Sequence, residues 1–478
     1  MTDRGPVHVV DPNSRMIDDS GPAKPPAGDE TAGDESTGGF PWRSLLLPAV
    51  LFVLVLAQTA TVAVKEKAIS PYDEIAHFDY VVQLQQGNFP VPAGQRYSEE
   101  AIQTWACRPV DRALAIGLLC GEPNSASDPR LVFDGVNYEA RYGPVYYALA
   151  AGGSSILSNV GVSDLTGARL VSSLLYALGA ALLLLVAQRM AFSSLAAGGV
   201  ILAASSTGLS LSQGATVTPD SMAFLITAAV IASALLSRTW RSAVLATTLV
   251  CTVAGLTHPV FILIAVLGSV LLLLRWVSLE RPTVSWRTAR RLVTIGPLAA
   301  LPVVLSAAAS LGWQALAASR NTTGLPADGD AHLMMQSSLG LIDRLAEQLR
   351  ASLHPDWGTA PGPAFTVLDT PLLRTAGSLV VLATLGACLW AWLWRTEIDY
   401  RSVIALRSVA FAIPVSAAVL VVTFWAAYEG GHTTASRYAI PFLAAASVGL
   451  GASISRRTAV PMALAGAAVW LSAWVGLV

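Results

Sequence analysis

Charge is scarce in this chain. Of its 478 residues, 13% are Asp, Glu, Lys or Arg, against about 25% in a soluble globular protein. The net charge is -1 and no basic run occurs, so nothing here suits a nucleic-acid backbone. Lysine is far outnumbered by arginine, and alanine is abundant, a usage associated with high-GC bacteria. Acids are almost missing from the middle of the apolar runs, which argues against a proton or ion pathway across a membrane. Short alternating apolar segments, the mark of a membrane β-barrel, are also missing. Cysteine is limited to four residues. Cys251 and Cys388 sit in apolar runs as packing residues, while Cys107 and Cys120 share one long polar loop. A disulfide between those two is expected if the loop lies outside the cytoplasm; two free thiols are the alternative.

What the chain does have is apolar length. Hydrophobic residues make up 54% of it, and its mean hydropathy is +0.56. Runs of roughly 18–22 apolar residues recur, each long enough to cross a bilayer. The expected fold class is an all-α polytopic membrane protein with about eleven spans, near 44–64, 167–188, 193–212, 219–237, 242–258, 259–277, 292–316, 372–394, 405–427, 438–455 and 459–477. The stretch 144–157 is shorter and is interrupted by Gly152, Gly153, Ser154 and Ser155, which suits an interfacial or re-entrant helix. Residues 1–39 are rich in Pro, Gly, Ser, Thr and acids. They cannot bury enough surface to fold and read as a disordered cytoplasmic tail ahead of a transmembrane domain, 40–478. No cleavage site clearly follows the first run, so that run is expected to remain as an anchor.

Arginine sets the orientation. With the N-terminus inside and 144–157 not spanning, the inside loops hold Arg189, Arg238, Arg241, Arg275, Arg281, Arg287, Arg290, Arg291, Arg395, Arg401, Arg407, Arg456 and Arg457. The short outside turns near 213–218, 258/259 and 429–436 hold no Lys or Arg, a positive-inside pattern. Two long loops, 65–143 and 317–371, then lie outside, and every cluster of chemistry-bearing residues falls on that face.

The first cluster is Ser70-Pro71-Tyr72-Asp73-Glu74-Ile75-Ala76-His77-Phe78-Asp79-Tyr80. Ser70 and Asp73 have capping-box spacing, with Pro71 at the first helical position and Gly87 as the stop. Capping accounts for Asp73 alone. On a helix Asp73 and His77 share a face, and a carboxylate beside an imidazole can bind a divalent ion, orient a hydroxyl or act as a base. Tyr138-Glu139-Ala140-Arg141-Tyr142-Gly143-Pro144-Val145-Tyr146-Tyr147 closes the same loop. An aromatic belt explains Tyr146 and Tyr147 but does not require Glu139 or Arg141. Thr218-Pro219-Asp220-Ser221 opens a span, where Asp220 is a cap or a site acid. His258, before Pro259, is more readily structural than catalytic. In the segment from Glu429 to Pro441, which carries His432, Arg437 and Tyr438, the arginine lies at the hydrocarbon edge, where it snorkels or pairs; a guanidinium there also suits a phosphate. In the second loop, 337–353 reads as an amphipathic interfacial helix with a solvated charged face, and His354-Pro355-Asp356-Trp357 has a tryptophan suited to a sugar ring.

In order, the segments 71–78, 138–147, 218–221 and 436–441 resemble a bacterial family of predicted integral membrane proteins marked by a Pro-x-Asp-Glu-x-x-His-Phe first-loop motif. That family is similar in layout to the GT-C superfamily of membrane glycosyltransferases. Gly143 replaces the first of a Pro-Pro pair, Thr218 replaces an Asn, and Ser436 replaces a Gly. The resemblance implies a polyprenyl-phosphate sugar donor, a glycan or lipid-linked acceptor, and an outward active site in the bacterial inner membrane. It implies Asp73 as base, with Glu74 and His77 orienting the acceptor or, for Asp73 and His77, holding a divalent cation (Mg, Mn or Ca). Tyr138, Glu139, Arg141, Tyr146, Asp220, His258, His432, Arg437 and Tyr438 are the expected substrate-binding residues. A lipid-linked sugar transporter or flippase and a non-catalytic envelope scaffold are the alternatives.

Overall fold

The computed structural model describes residues 43–70, 73–108, 117–128, 130–280, 286–325, 340–352, 371–393, 400–427, 436–454 and 456–477. The tail 1–39, Pro71 and Tyr72 of the first motif, His432, and the segment from His354 to Trp357 lie outside the described residues. The described chain is helical, with an isolated bridge between Arg96 and Val136 in place of any sheet. The helices used below are α1 (Arg43–Lys65), α2 (Glu74–Gln85), α3 (Glu99–Ala106), α4 (Pro144–Ser158), α5 (Asp164–Arg189), α6 (Ser194–Ser205), α7 (Gly208–Ala215), α8 (Ala223–Leu236), α9 (Trp240–Gly255), α10 (Ile262–Glu280) and α11 (Trp286–Ser319).

A helix lies on each of the eleven expected spans. Six described helical segments are long and apolar enough to cross a membrane: Ser44–Lys65, Asp164–Arg189, Pro219–Leu236, Pro259–Ser278, Ile295–Ser319 and Pro371–Leu389. The protein is a polytopic α-helical membrane protein. Some of the other expected spans are shorter as helices; α9, at 16 residues, is about 24 Å long. The expected single span at 193–212 is broken into α6 and α7, bent by 76°. The sequence at the break is Ser205-Ser206-Thr207, and its hydroxyls add bonds there to those of the backbone. Ser205 donates to the Leu202 carbonyl, Thr207 to that of Ala204, and Ser206 to Oε1 of Gln58 on α1. Apolar surroundings tolerate a broken helix only when freed backbone groups find such partners.

Three expectations about local structure change. Helix α2 begins at Glu74, and Asp73 rather than Ser70 is its N-cap, in a left-handed conformation (φ 61°) with no capping bond from its side chain. Ser70 instead donates its backbone N–H to Glu74 Oε2, at 2.7 Å. Asp220 does not cap its turn either: Thr218 Oγ1 accepts the Asp220 N–H, which shows why a threonine serves at that position. In the second long loop, helix Leu341–Ser352 turns Arg344 and Gln348 inward, each 3% exposed, so its polar residues do not all form a solvated face. Helix α4 has 15 residues and packs on α2 and α5; at about 22 Å it falls short of the hydrocarbon thickness.

Candidate active site around Asp73 and Arg437

The first long loop folds around a buried carboxylate that no motif singled out. Asp79 Oδ1 accepts both the backbone N–H and the hydroxyl of Ser98, at 2.6 Å each, and Oδ2 accepts Asn137 Nδ2 at 2.7 Å. Asn137 Nδ2 also donates to the Ala76 carbonyl, and its Oδ1 accepts the Glu139 N–H. This pins the short 3-10 turn Tyr138–Arg141 against α2 and brings Tyr138 over Asp73. The Cys107–Cys120 disulfide is present, with Cα atoms 4.4 Å apart, and closes the loop beyond α3. Gly143 has its own reason. A Cβ there would meet the Leu256 carbonyl oxygen at 1.9 Å, so the chain entering α4 passes directly against the end of α9.

Asp73 is the accessible member of the cluster, its side chain 29% exposed. Oδ1 accepts the Tyr138 hydroxyl at 2.5 Å, and Oδ2 accepts Arg437 Nη2 at 2.6 Å. Arg437 comes from the turn Ser436–Ala439, far along the chain, and is 9% exposed. It therefore pairs rather than snorkels. Its Nε lies 3.8 Å from Oδ2 of Asp220, itself 7% exposed, and its guanidinium sits 5.3 Å from the Tyr438 ring centroid. One cation thus joins carboxylates from two distant segments. The left-handed backbone at Asp73 is one that Asp adopts more readily than most residues, and Asp134 and Ala191 share it.

Behind this lies a neutral layer. Burial pushes the His77 imidazole down to about 3, so it is uncharged at neutral pH, and its Nδ1 is 2.8 Å from the Tyr147 hydroxyl. Burial, with the Asp73 charge adding to it, pushes the Glu139 carboxyl well above the usual range. The 3.8 Å approach of His77 and Glu139 is therefore made by an uncharged imidazole and is not an ion pair. Among the described residues Glu139 Oε2 finds no hydrogen-bond partner, an arrangement that costs about 1–3 kcal/mol unless a ligand meets it. His258 Nδ1 accepts the Val260 N–H and its ring meets Tyr142 edge-on, centroids 4.7 Å apart. Asp73 behaves differently. Burial would raise its carboxyl, but the Arg437 guanidinium, helped by the Tyr138 hydroxyl, outweighs that and holds it below the usual carboxylate range.

The structure brings Asp73, Tyr138, Asp220, Arg437 and Tyr438 together and sets His77, Glu139 and His258 close behind. Arg141 lies over the Tyr142 ring, 5.8 Å from its centroid. Two expected site residues go elsewhere. Tyr146 bonds Ser172 on α5, at 2.7 Å. Glu74 is held by Arg169, which donates to both its oxygens at 2.6 and 2.7 Å; the Ser70 and Val217 N–H groups complete the set. Arg169 escaped the motif reading, yet it falls inside the expected span 167–188, where an arginine is costly unless paired, a signal present in the sequence. The atoms of the expected Asp73 and His77 metal pair have protein partners: Asp73 accepts from Arg437 and Tyr138, and His77 Nδ1 meets the Tyr147 hydroxyl. Among the described residues no three His, Cys, Asp or Glu side chains are grouped to hold a metal ion.

No protein-family model matches the chain, and no curated protein matches it. Among solved structures it is similar to ArnT from Cupriavidus metallidurans in the apo state, with 18% identity, a TM-score of 0.37, and coverage of 84% of this chain and 76% of that one. It is also similar to the same protein bound to undecaprenyl phosphate, with 16% identity, a TM-score of 0.36, and coverage of 88% and 77%.

Proposed function

We propose that the chain is a GT-C-like glycosyltransferase of the bacterial cell envelope, with its N-terminus cytoplasmic and its active face outside. It moves a sugar from a polyprenyl-phosphate donor to a hydroxyl of a glycan or lipid-linked acceptor, with inversion. The observation that carries this reading is the pairing of a part-exposed carboxylate, Asp73, with a largely buried arginine, Arg437, at 2.6 Å. A base and a phosphate ligand stand side by side where apolar helices meet a polar loop, and the order of the sequence motifs supports the same reading.

Asp73 accepts the proton of the acceptor hydroxyl. The acceptor oxygen bonds to the anomeric carbon as the bond from that carbon to the phosphate oxygen breaks, and the electron pair leaves with the polyprenyl phosphate. Arg437 stabilises the charge that develops on the phosphate. A donor phosphate competes with Asp73 for Arg437, so arrival of the donor loosens the ion pair and raises the basicity of the carboxylate. Tyr138 steers Asp73 through its hydroxyl, and the neutral acid Glu139 is positioned to meet a substrate hydroxyl.

Purified protein incubated with polyprenyl-phosphate sugars and an envelope extract should yield a new glycosidic product and released polyprenyl phosphate. Movement of labelled donor between leaflets of a vesicle with no new bond would establish transport in its place. Neither activity in the unaltered protein, with envelope assembly tolerating combined substitution of Asp73 and Arg437, would indicate a scaffold.

A further inference from the structure

A cavity of about 800 Å³ opens beside α2 and α3, lined by Gln83, Gln95, Tyr97, Glu99, Glu100 and Gln103 among others. Its size is within the range of roughly 300–1,000 Å³ usual for small-molecule sites, and its lining is unusual. Five lining residues carry side-chain amides, of which Asn88 donates to Gln83 and Gln103 to the Glu122 carbonyl; two carboxylates flank the cavity, and its arginine, Arg96, donates Nη1 to the Ala126 carbonyl at 2.7 Å. Amides donate and accept at once, which suits hydroxyl groups that do the same. Two carboxylates with the cation so engaged disfavour a phosphate or another acid. A second cavity of about 730 Å³ shares Glu100 and Gln103, so a ligand longer than one sugar has room to continue around α3.

The cavity is joined to the turn that carries Tyr138 and Glu139 by a chain of bonds through Asp79 and Asn137. Ser98, in its lining, is bonded to Asp79 on α2. Tyr97 is 3% exposed, and among the described residues its hydroxyl finds no hydrogen-bond partner. Its ring contributes to the cavity lining and meets Trp105 edge-on, centroids 5.9 Å apart. We infer that this cavity holds the non-reacting part of the acceptor, a neutral hydroxyl-rich oligosaccharide, beside the base. The inference deepens the glycosyltransferase reading and rests on it for the word acceptor, though not for the ligand class.

Binding tests it without requiring transfer. The full-length protein in detergent is titrated with three probes: an uncharged linear hexose hexasaccharide, the same oligosaccharide bearing one phosphate, and inorganic phosphate. Saturation-transfer NMR is the readout. The neutral probe should bind best. Gln95→Trp, which fills the cavity from a side chain outside the catalytic cluster, should weaken it by about tenfold, the equivalent of one or two hydrogen bonds. Glu99→Gln with Glu100→Gln should admit the phosphorylated probe and leave the neutral one unchanged. An unchanged melting temperature and an intact Cys107–Cys120 bridge show that each variant folds. No binding of the neutral probe, equal binding to Gln95→Trp, or preference for the phosphorylated probe by the unaltered protein overturns the inference. Neutral-probe binding with no transfer from any donor removes the glycosyltransferase reading and leaves the glycan site. Transfer indifferent to Gln95→Trp does the reverse.

Discussion

Asp73 and Glu74 are neighbours in sequence, and each is bonded to an arginine at 2.6 Å, yet the two pairs are different objects. Glu74 and Arg169 are each 1% exposed. Arg169 also donates to the Glu66 and Ala68 carbonyls, and Glu74 also accepts the N–H groups of Ser70 and Val217. That pair ties the end of α1, the start of α2, α5 and the segment leading to Asp220 into one knot, with both carboxylate oxygens doubly engaged. Asp73 is 29% exposed, is held in a left-handed conformation, and shares its arginine with Asp220. Burial and saturation mark a structural ion pair. The proposed exchange of the Asp73 pair for a ligand rests on the exposure of its carboxylate and on its shared arginine.

Substitution at these two positions should separate the roles most sharply. Asp73→Asn should lower the transfer rate by roughly 10²–10⁴, the range for loss of a general base, with a small change in melting temperature. Full transfer by this variant would remove Asp73 as the base. Glu74→Gln should act the other way round. It leaves Arg169 with an uncompensated buried charge and should cost roughly 3–5 kcal/mol of stability, seen as a large fall in melting temperature. Pairing it with Arg169→Met should recover much of that loss, because the buried charge goes with its partner. A Glu74→Gln protein that melts normally but cannot transfer would reverse the comparison.

The same contrast explains what the sequence could and could not convey. Apolar run length located the helices, because crossing hydrocarbon is a one-dimensional demand. The break at Ser205-Ser206-Thr207 was not visible, since a run of small polar residues is compatible with a helix until Gln58 is seen to bond it. Asp73, Arg437, Asp220 and Tyr138 were all picked out by type and position, although only the fold shows that they touch. The partner of Glu74 was not legible for a definite reason: in Asp-Glu-x-x-His the two acids look equivalent, and which one meets a buried arginine depends on α5, some 95 positions away. Asp79 sat inside the motif without a role because its partners Ser98 and Asn137 are hydroxyl and amide residues common in any loop.

The Cys107–Cys120 bridge tests how independent the loop is from the knot beneath it. Opening it with Cys107→Ser should cost the loop about 3 kcal/mol of order in the chain-entropy model. Amide hydrogen exchange should quicken in α3 and stay unchanged in α5, where Arg169 is anchored. Faster exchange in both would mean that the loop and the knot are one cooperative unit.

The smallest effect is the most specific. Tyr138 donates to Asp73 Oδ1 at 2.5 Å, and its hydroxyl is among the groups that hold the Asp73 carboxyl down after burial and Arg437 are weighed. A base works when ionised, so activity is present above its pKa and is lost as pH falls through it. Tyr138→Phe removes one group favouring the charged form, and the carboxyl should rise. The acid limb of kcat/KM against pH, which reports the free enzyme, should therefore move to higher pH with Arg437 still in place. Glu74→Gln should leave that limb where it is, since the structural pair does not touch the Tyr138 hydroxyl. A limb that shifts with Glu74→Gln and not with Tyr138→Phe would mean that the titrating group is not Asp73, and the division between the two neighbouring acids would fall with it.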